Sequence, residues 1–341
     1  MNKPQKRLDI AVMRLFCIAV VVFFHAYGMM YATGHFDADV YTKYEQMYKA
    51  FNQGPVINLA MAIFTFIAGF LFGRQLLGKR YSLTSEGCAA VFSGKGMRVL
   101  LPFFVFTIIF MFTTNSASWA PFYQWTYSHL WYLPMLFWCF VFTWILQNIV
   151  LSSKPAISVA LLAILLVVSC LDKFVPLFLG LHSVSCWLYW FVLGAVVSKW
   201  ESAIFSAIKR YHLFWALVAA YVVLTILFPP DYGHNTFIGQ ITITCGVYAA
   251  WHACREIPWQ NFAVTKFLVW LSTFSFGIYI FHNWLEAFIV SSSAQRLLPL
   301  HDWAINHMVL FPLVFSLLAF VLSFLLTWAV TRTRIGRKLI G

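Results

Sequence analysis

LDIAVMRLFCIAVVVFFHAYGMMY, residues 8–31, is the first apolar run of the chain, and it carries two ionisable side chains, Arg14 and His25. A run of this length spans a bilayer as a helix. Arg14 and His25 are eleven positions apart, so at about 100° per residue both project from one face, about 16 Å apart along the axis. Because either group is costly in hydrocarbon, this face meets a polar interior, or the two side chains reach water at opposite interfaces.

The composition is that of a membrane protein. Hydrophobic residues make up 62% of the 341 positions and charged residues 10%, against about 25% charged residues in soluble domains. A soluble domain of this length could not bury so much apolar surface, so we predict an all-α polytopic membrane protein. The 15 Trp, 15 Tyr and 36 Phe residues suit interfacial belts and lipid contacts.

Apolar runs of about 20 residues predict about ten transmembrane helices, and an even number places both termini on one side. The predicted spans are residues 8–31, 55–77, 99–114, 128–149, 155–171, 183–199, 211–228, 236–253, 265–289 and 304–330. No composition shift, linker or internal repeat divides them. The sequence therefore predicts a single transmembrane domain over residues 1–341, with no separate soluble domain and with any active site built among the helices.

The basic residues orient the spans. If the N-terminus is cytoplasmic, eighteen of the 23 Lys and Arg residues fall in cytoplasmic segments, four fall in external segments, and Arg14 lies inside the first span. This asymmetry follows the positive-inside rule and predicts cytoplasmic N- and C-termini. Topology thus explains the formal net charge of +12, and we expect no nucleic acid as a partner.

The seven cysteines predict neither a metal site nor a redox centre. They form no CxxC pair, and the spacing gives them no histidine partner of the kind that zinc motifs show. Cys170 and Cys186 flank one predicted external loop, where an oxidising compartment would permit a disulfide, although nothing else in the sequence favours one. We expect no metal and no permanently bound cofactor.

Orientation sorts the polar residues of the predicted spans by depth, and one set shares the outer half of the membrane. In this set His282 and Glu286 are one helical turn apart, where the carboxylate can orient the imidazole. The candidates for binding or orienting an acceptor are Asn58, His129, Trp131, Tyr132, His282, Asn283 and Glu286.

A second set, at the cytoplasmic depth, contains Arg14, Arg74, Lys95 and Arg98. Guanidinium groups grip phosphates bidentately, so this set can form an anion clamp. The alternative for Arg74, Lys95 and Arg98 is that they only flank helices, as the positive-inside rule requires. An anionic end near Arg14 and a reactive end about three helical turns deeper match a coenzyme A thioester, with His25 as the general base on an incoming hydroxyl.

Five stretches of the chain form a recognisable series: RLFCIAVVVFFH (residues 14–25), FTFIAGFLFGR (64–74), KGMRVLLPFFVF (95–106), SHLWYLPMLF (128–137) and TFSFGIYIFH (273–282). Together these stretches resemble the acyltransferase-3 superfamily of integral membrane O-acyltransferases, whose first span carries a basic residue, ten further residues and a histidine, as residues 14–25 do. They follow the order of the family and cover essentially the whole chain.

The resemblance implies a multi-pass enzyme of the bacterial inner membrane. It would take an acetyl or other short acyl group, such as succinyl, from cytoplasmic acyl-CoA, with acetyl-CoA as the expected co-substrate. The acceptor would be a hydroxyl of a cell-surface or periplasmic glycan or lipid-linked sugar, with polysaccharide-assembly proteins as expected partners. On this interpretation His25 and Arg14 are catalytic, and Arg14, Arg98, Lys95 and Arg74 bind acyl-CoA.

Two other function classes fit the same pattern. A polysaccharide exporter or lipid-linked sugar flippase would also be a ten-span bundle with polar groups near the midplane. A structural component of a polysaccharide-assembly complex would tolerate replacement of both Arg14 and His25.

Overall fold

The computed structural model describes residues 7–32, 42–43, 45–47, 55–114, 118–228, 236–294 and 301–340, and this part of the chain is helical and contains no β-strand. In chain order the α-helices are α1 (Leu8–Ala32), α2 (Pro55–Leu77), α3 (Ser85–Ala90), α4 (Met97–Thr113), α5 (Ala120–Gln124), α6 (Tyr132–Ile145), α7 (Gln147–Val150), α8 (Pro155–Ser169), α9 (Leu181–Arg210), α10 (Leu213–Leu227), α11 (Phe237–Glu256), α12 (Thr265–Ser272), α13 (Ser275–Ala294), α14 (His301–Asn306), α15 (Leu310–Val330) and α16 (Arg334–Ile340). A π-helical turn (Val91–Gly96) joins α3 to α4, and 3-10 turns cover Ser128–Trp131, Asp172–Phe174 and Trp259–Asn261.

Six helices within the described residues are long and apolar enough to cross a membrane. These candidate spans are Leu8–Gly28, Leu59–Leu77, Ser85–Thr113, Ala120–Ile145, Leu181–Arg210 and Leu310–Val330. The apolar helices α8 and α10 are shorter, and α11 and α13 lie outside the candidate set. The predicted all-α class is confirmed, and a helix lies at each predicted span. The number of crossings and the side of the termini remain predictions.

The predicted span 183–199 is longer in the structure. It begins at Leu181 and continues as α9 to Arg210, with a kink where Trp200 leaves helical geometry (φ −100°, ψ 15°). Just before the kink, the Lys199 ammonium donates to the carbonyl oxygens of Leu151 and Ser152 at 2.5 and 2.7 Å. Lys199 therefore marks a bend in a continuing helix rather than the helix end that its charge predicts.

The predicted span 265–289 is two helices, because α12 ends at Ser272 and α13 begins at Ser275. Hydroxyl groups mark the break. Ser272 donates to the carbonyl oxygen three residues earlier at 2.8 Å, and Thr273 does the same at 2.7 Å. Such local bonds compete with continuous helical bonding, which a purely apolar pattern does not reveal.

The chain divides into two compact units, one formed by Met1–Met61 with Ile257–Gly341 and the other by Ala62–Glu256. The first unit thus joins the beginning and the end of the sequence. In it, α1 packs against α12, α13 and α15, and α13 packs against α15. The expectation of a single domain over residues 1–341 remains a prediction.

Contacts at both ends fix the directions of the helices in the first unit. Arg14 in the first half of α1 contacts Ser275, the first residue of α13, and His25 further along α1 contacts Asn283 further along α13. The two helices are therefore parallel. A Cβ at Gly277, near the start of α13, would meet Thr327 near the end of α15, and Ile289 further along α13 shares a buried cluster with Phe311 at the start of α15, so α15 is antiparallel to both.

In the second unit, α2 and α9 approach each other at backbone contact distance. A Cβ at Gly69 would lie 1.8 Å from the Phe191 carbonyl oxygen, and one at Gly194 would lie 2.0 Å from the Phe66 carbonyl oxygen. Gly73, one turn after Gly69, is also tight, because its Cβ would lie 2.3 Å from a serine hydroxyl of α9. Small residues four apart permit this close packing of membrane helices.

We expect Gly69→Ala to destabilise the protein by about 1–3 kcal/mol, because the added methyl group overpacks a backbone contact that cannot yield without separating the helices. The measurement is the unfolding temperature of the full-length protein in detergent. Gly94→Ala is the matched control, since the nearest atom to its Cβ is the Tyr81 hydroxyl at 3.9 Å. An equal unfolding temperature for both variants would contradict the close approach.

Candidate active site

Arg14 is held at the level where α13 begins. Its Nη2 donates to the Ser275 hydroxyl at 2.7 Å. Ser275 is 1% exposed, whereas Arg14 is partly buried. The break between α12 and α13 therefore places a hydroxyl beside the guanidinium inside the first candidate span, where the bond lowers the cost of burying the charge.

His25 lies about three turns further along α1 and is partly buried. The amide nitrogen of Asn283 lies 3.2 Å from its Nδ1. The ring of His282 is 5.1 Å from the His25 ring between centroids, at an interplanar angle of 55°. Asn283 and His282 are both buried. These three residues, His25, His282 and Asn283, form what we name the histidine cluster.

The Asn283 amide can face His25 in two ways. With the N–H donating, Nδ1 accepts and the neutral ring carries its proton on Nε2. With the amide oxygen facing Nδ1–H, Nε2 carries the lone pair that a general base requires, and the same oxygen stabilises the imidazolium that forms on proton uptake. Asn283 can therefore orient His25 before and after a proton transfer.

The predicted contact between His282 and Glu286 does not form. The Nδ1 of His282 lies 2.7 Å from the Tyr279 carbonyl oxygen and 3.1 Å from that of Ile278. Side chains in a helix lean towards its N-terminus, which brings this ring to the carbonyl groups of the preceding turn. Within the described residues neither carboxylate oxygen of Glu286 has a hydrogen-bond partner, and its side chain is buried.

An apolar cluster lies in the first unit next to His25 in sequence, on the side of the C-terminal end of α1. Its members are Ala26, Ile289, Val290, Ala304, Phe311 and Phe315. Glu286 lies one turn before Ile289 and Val290 on α13, so it sits between this cluster and the histidine cluster. α13 thus buries three polar side chains, His282, Asn283 and Glu286, within five residues.

Lys95 and Arg98 belong to the second unit. Lys95 lies in the π-helical turn, and its ammonium is 5.2 Å from the ring centroid of Phe140 and 5.9 Å from that of Phe72. Cation–π contacts stabilise a charge in apolar surroundings, and π-helical turns are frequent at functional sites. Arg98 follows in α4 and is exposed.

Arg74, at the end of α2, shares a carboxylate with Arg255. The Arg74 Nη1 donates to Glu201 Oε2 at 3.2 Å, and the Arg255 Nη1 donates to Glu201 Oε1 at 2.6 Å. The Glu201 side chain is 9% exposed, whereas that of Arg74 is 56% exposed. We name these residues the Glu201 trio. One buried carboxylate thus ties α2, α9 and α11 together.

Three of the remaining acceptor candidates, His129, Trp131 and Tyr132, lie around the start of α6 in the second unit, and Asn58 lies on the part of α2 that belongs to the first unit. His129 and Tyr132 are buried. Trp131 is partly buried, and its ring lies 5.7 Å from that of Trp187. Asn58 lies on α2, but its side chain falls outside the described residues. The acceptor-binding role of Trp131 and Tyr132 stays a prediction.

Three residues with prominent contacts were not singled out by sequence reasoning: Ser275, Glu201 and Arg255. Ser275 lies inside the motif TFSFGIYIFH, and its hydroxyl group in an apolar stretch was the feature that could have indicated a polar contact. Glu201 is one of 11 acidic residues and lies beside a predicted helix end, where basic residues prevail. An isolated acidic residue among cations indicates an ion pair, although sequence cannot name the partner.

Comparison with protein-family models matches residues 7–332 to the acyltransferase-3 model, described as an acyltransferase domain. The chain belongs to the acyltransferase-3 family. The match covers essentially the whole chain, so the resemblance seen in the five sequence motifs is confirmed. Together with the six candidate spans, membership of the acyltransferase-3 family makes the protein a multi-pass membrane acyltransferase. Neither the comparison with curated proteins nor that with solved structures found a match.

Proposed function

We propose that this acyltransferase-3 protein transfers an acetyl or other short acyl group, such as succinyl, from acyl-CoA to a glycan hydroxyl. The observation that carries the proposal is the parallel pairing of α1 and α13, in which Arg14 meets Ser275 and His25 meets Asn283. One helix face thus holds a cation at one depth and a base about three turns further on. A coenzyme A thioester has this form, since a long thin arm joins its anionic end to its reactive carbonyl.

The donor end of the proposed site is cationic. Arg14 would hold the phosphate end of acyl-CoA, and Ser275 would fix the direction of the guanidinium. The assignment of Lys95, Arg98 and Arg74 to acyl-CoA binding stays a prediction, and Arg74 is the weakest of these candidates, because it already shares the Glu201 carboxylate.

In the proposed reaction His25 takes the proton of the acceptor hydroxyl as its oxygen attacks the thioester carbonyl. A C–O bond forms, the C–S bond breaks, and the departing thiolate takes the proton from the imidazolium and leaves as CoA–SH. Asn283 holds the ring in both protonation states. A route through a covalent acyl-enzyme would require the same base.

The acceptor end of the proposed site is the outer half of the membrane. His282, Asn283 and Glu286 would orient the acceptor. The acceptor-binding roles of Asn58, His129, Trp131 and Tyr132 stay predictions, with Trp131 and Tyr132 as the predicted aromatic floor for a sugar ring. We place the protein in the bacterial inner membrane, with a cell-surface or periplasmic glycan or a lipid-linked sugar as acceptor. No permanently bound cofactor takes part, and polysaccharide-assembly proteins are the proposed partners.

Donor binding by the purified full-length protein in detergent tests the proposal first, measured calorimetrically with acetyl-CoA and succinyl-CoA. We expect Arg14→Ala to weaken binding at least about tenfold, since a hydrogen bond to a charged group is worth about 1.5–3 kcal/mol. Ser275→Ala keeps the cation but removes the hydrogen bond that holds it. Because such a bond contributes about 0.5–1.5 kcal/mol, we expect the affinity for the thioester to fall about 3- to 10-fold.

Arg332→Ala is the matched control, because Arg332 is an exposed arginine of the same unit and we expect its replacement to leave binding unchanged. Equal binding by Arg14→Ala and the wild type would remove Arg14 from the donor site. Two results together would contradict the enzyme and favour an exporter or flippase. The wild type would bind neither thioester, and unmodified glycan would accumulate inside cells that lack the protein.

A further inference from the structure

A second group of chemically reactive side chains lies in the second unit, at the connection between α8 and α9. We name Asp172, His182 and Cys186 the Asp–His–Cys cluster. One potential ligand atom from each residue, a carboxylate oxygen, a ring nitrogen and the Sγ, lies within 4.8 Å of the other two. All three residues are partly exposed.

Local structure explains how these residues meet. His182 and Cys186 are one turn apart at the start of α9, so their side chains share a face. Asp172 begins the 3-10 turn that follows α8. Its carbonyl oxygen lies 3.2 Å from the His182 Nδ1, and its Oδ2 lies 3.8 Å from the Cys186 Sγ. A backbone carbonyl beside the ring of a histidine is a common second partner of metal-bound imidazole.

The segment between Asp172 and His182 is fastened by backbone bonds. The Leu179 N–H donates to the Tyr123 carbonyl oxygen at 2.9 Å, and the Gly180 N–H donates to that of Gln124 at 2.8 Å. The indole N–H of Trp138 donates to the Leu179 carbonyl oxygen at 2.8 Å. These bonds hold a corner at which Leu179 and Gly180 have φ values of 48° and 74°. Ligands carried by a supported corner lose little freedom when they bind an ion.

We propose that the Asp–His–Cys cluster binds one Zn²⁺ ion through thiolate, imidazole and carboxylate. These are the ligand types that zinc takes, with bonds of about 2.0–2.3 Å, so the three atoms need to draw together by only about 1 Å. Binding releases the thiol proton of Cys186 to solvent. The thiolate and the carboxylate then cancel the charge of the ion, and water fills the fourth position.

Cysteine spacing alone did not predict this site. The expectation that no cysteine has a histidine partner overlooked Cys186, which follows His182 by one helical turn, and the third ligand comes from a separate turn. The seven cysteines all lie in the described part of the chain, and none of them forms a disulfide there. The structure thus shows Cys186 as a thiol, the form from which metal binding starts.

Cobalt substitution tests the proposal. The full-length protein, freed of any histidine tag and stripped with a chelator, is titrated in detergent with CoCl₂ and then with ZnCl₂. We expect a sulfur-to-cobalt charge-transfer band that saturates at one ion per chain and is displaced by zinc. Cys186→Ser should lose the band, and Asp172→Asn and His182→Gln should weaken binding about tenfold or more.

Cys170→Ser is the matched control, because Cys170 is a partly exposed cysteine at the other end of the same connection, and it should keep the band. A separate readout is the unfolding temperature, which zinc should raise in the wild type and in Cys170→Ser but not in Cys186→Ser. A wild-type protein without the band, or a band that survives in Cys186→Ser, would overturn the proposal. Neither readout depends on acyl transfer.

Discussion

Replacing His25 with alanine should lower acyl transfer by about 10²- to 10⁴-fold, the contribution of a general base to such a step. The acceptor hydroxyl is a weak nucleophile until its proton is removed, and the other imidazole of the histidine cluster, His282, has its Nδ1 on backbone carbonyls. The measurement is the formation of CoA from acetyl-CoA, separated by chromatography, together with the base-labile acyl content of the glycans of cells that make the variant.

The amount of His25→Ala in the membrane and its unfolding temperature should stay near those of the wild type, because His25 is only partly buried. His307→Ala provides the control, since His307 is an exposed histidine of the same unit, and it should transfer acyl groups normally. Acyl transfer by His25→Ala at the wild-type rate would exclude His25 from the mechanism. A loss shared by His307→Ala would point to a general defect of histidine replacement in this unit.

Replacing Glu201 with leucine should destabilise the protein by about 2–4 kcal/mol. Removing one partner of a buried ion pair leaves the other charges uncompensated, which costs up to about 5 kcal/mol when the partners are fully buried. The expected figure is lower here because Arg74 is 56% exposed and water can take over part of its solvation. The loss should come mainly from Arg255, which is 27% exposed and lies 4.3 Å from the ring centroid of Phe205.

The unfolding temperature of the detergent-solubilised protein, followed by tryptophan fluorescence, measures this effect. Glu256→Leu is the control, since Glu256 forms a 3.7 Å ion pair with Lys209 in which both side chains are exposed, and such pairs contribute less than about 1 kcal/mol. Adding Arg255→Leu to Glu201→Leu should recover part of the lost stability. Equal losses from Glu201→Leu and Glu256→Leu would mean that the Glu201 trio does not hold the three helices together.

The sequence predicted the all-α class and the shared helix face of Arg14 and His25, because both depend only on the spacing of residues along the chain. Eleven positions between Arg14 and His25 place them on one face of any α-helix, and the structure gives each a polar contact on α13. Ser275 was beyond such reasoning, because its contact with Arg14 depends on a break that hydroxyl groups introduce into an apolar run. Spacing also suggested that Glu286 orients His282, but the carbonyl groups of the preceding turn take that role.

Interactions between distant segments account for the rest of what the sequence did not reveal. Glu201 and Arg255 meet only because α9 and α11 pack in one unit, and Asp172 meets Cys186 only because a short connection folds back on the start of α9. The charge of Lys199 pointed to a helix end, whereas in the structure it satisfies carbonyl groups beside a kink. A residue type limits the possible partners of a side chain, but the fold selects among them.

The first unit is built from the two ends of the sequence, and this affects the order in which the protein can mature. The ribosome makes α1 more than two hundred residues before α13, an interval of roughly 10–50 s at 5–20 residues per second. During that time Arg14 and His25 lie in a membrane segment whose partner helix does not yet exist, so they must stay near the lipid surface or the insertion machinery must shelter them. The polar contacts of α1 are thus completed only when α13 has been made, late in the synthesis of the chain.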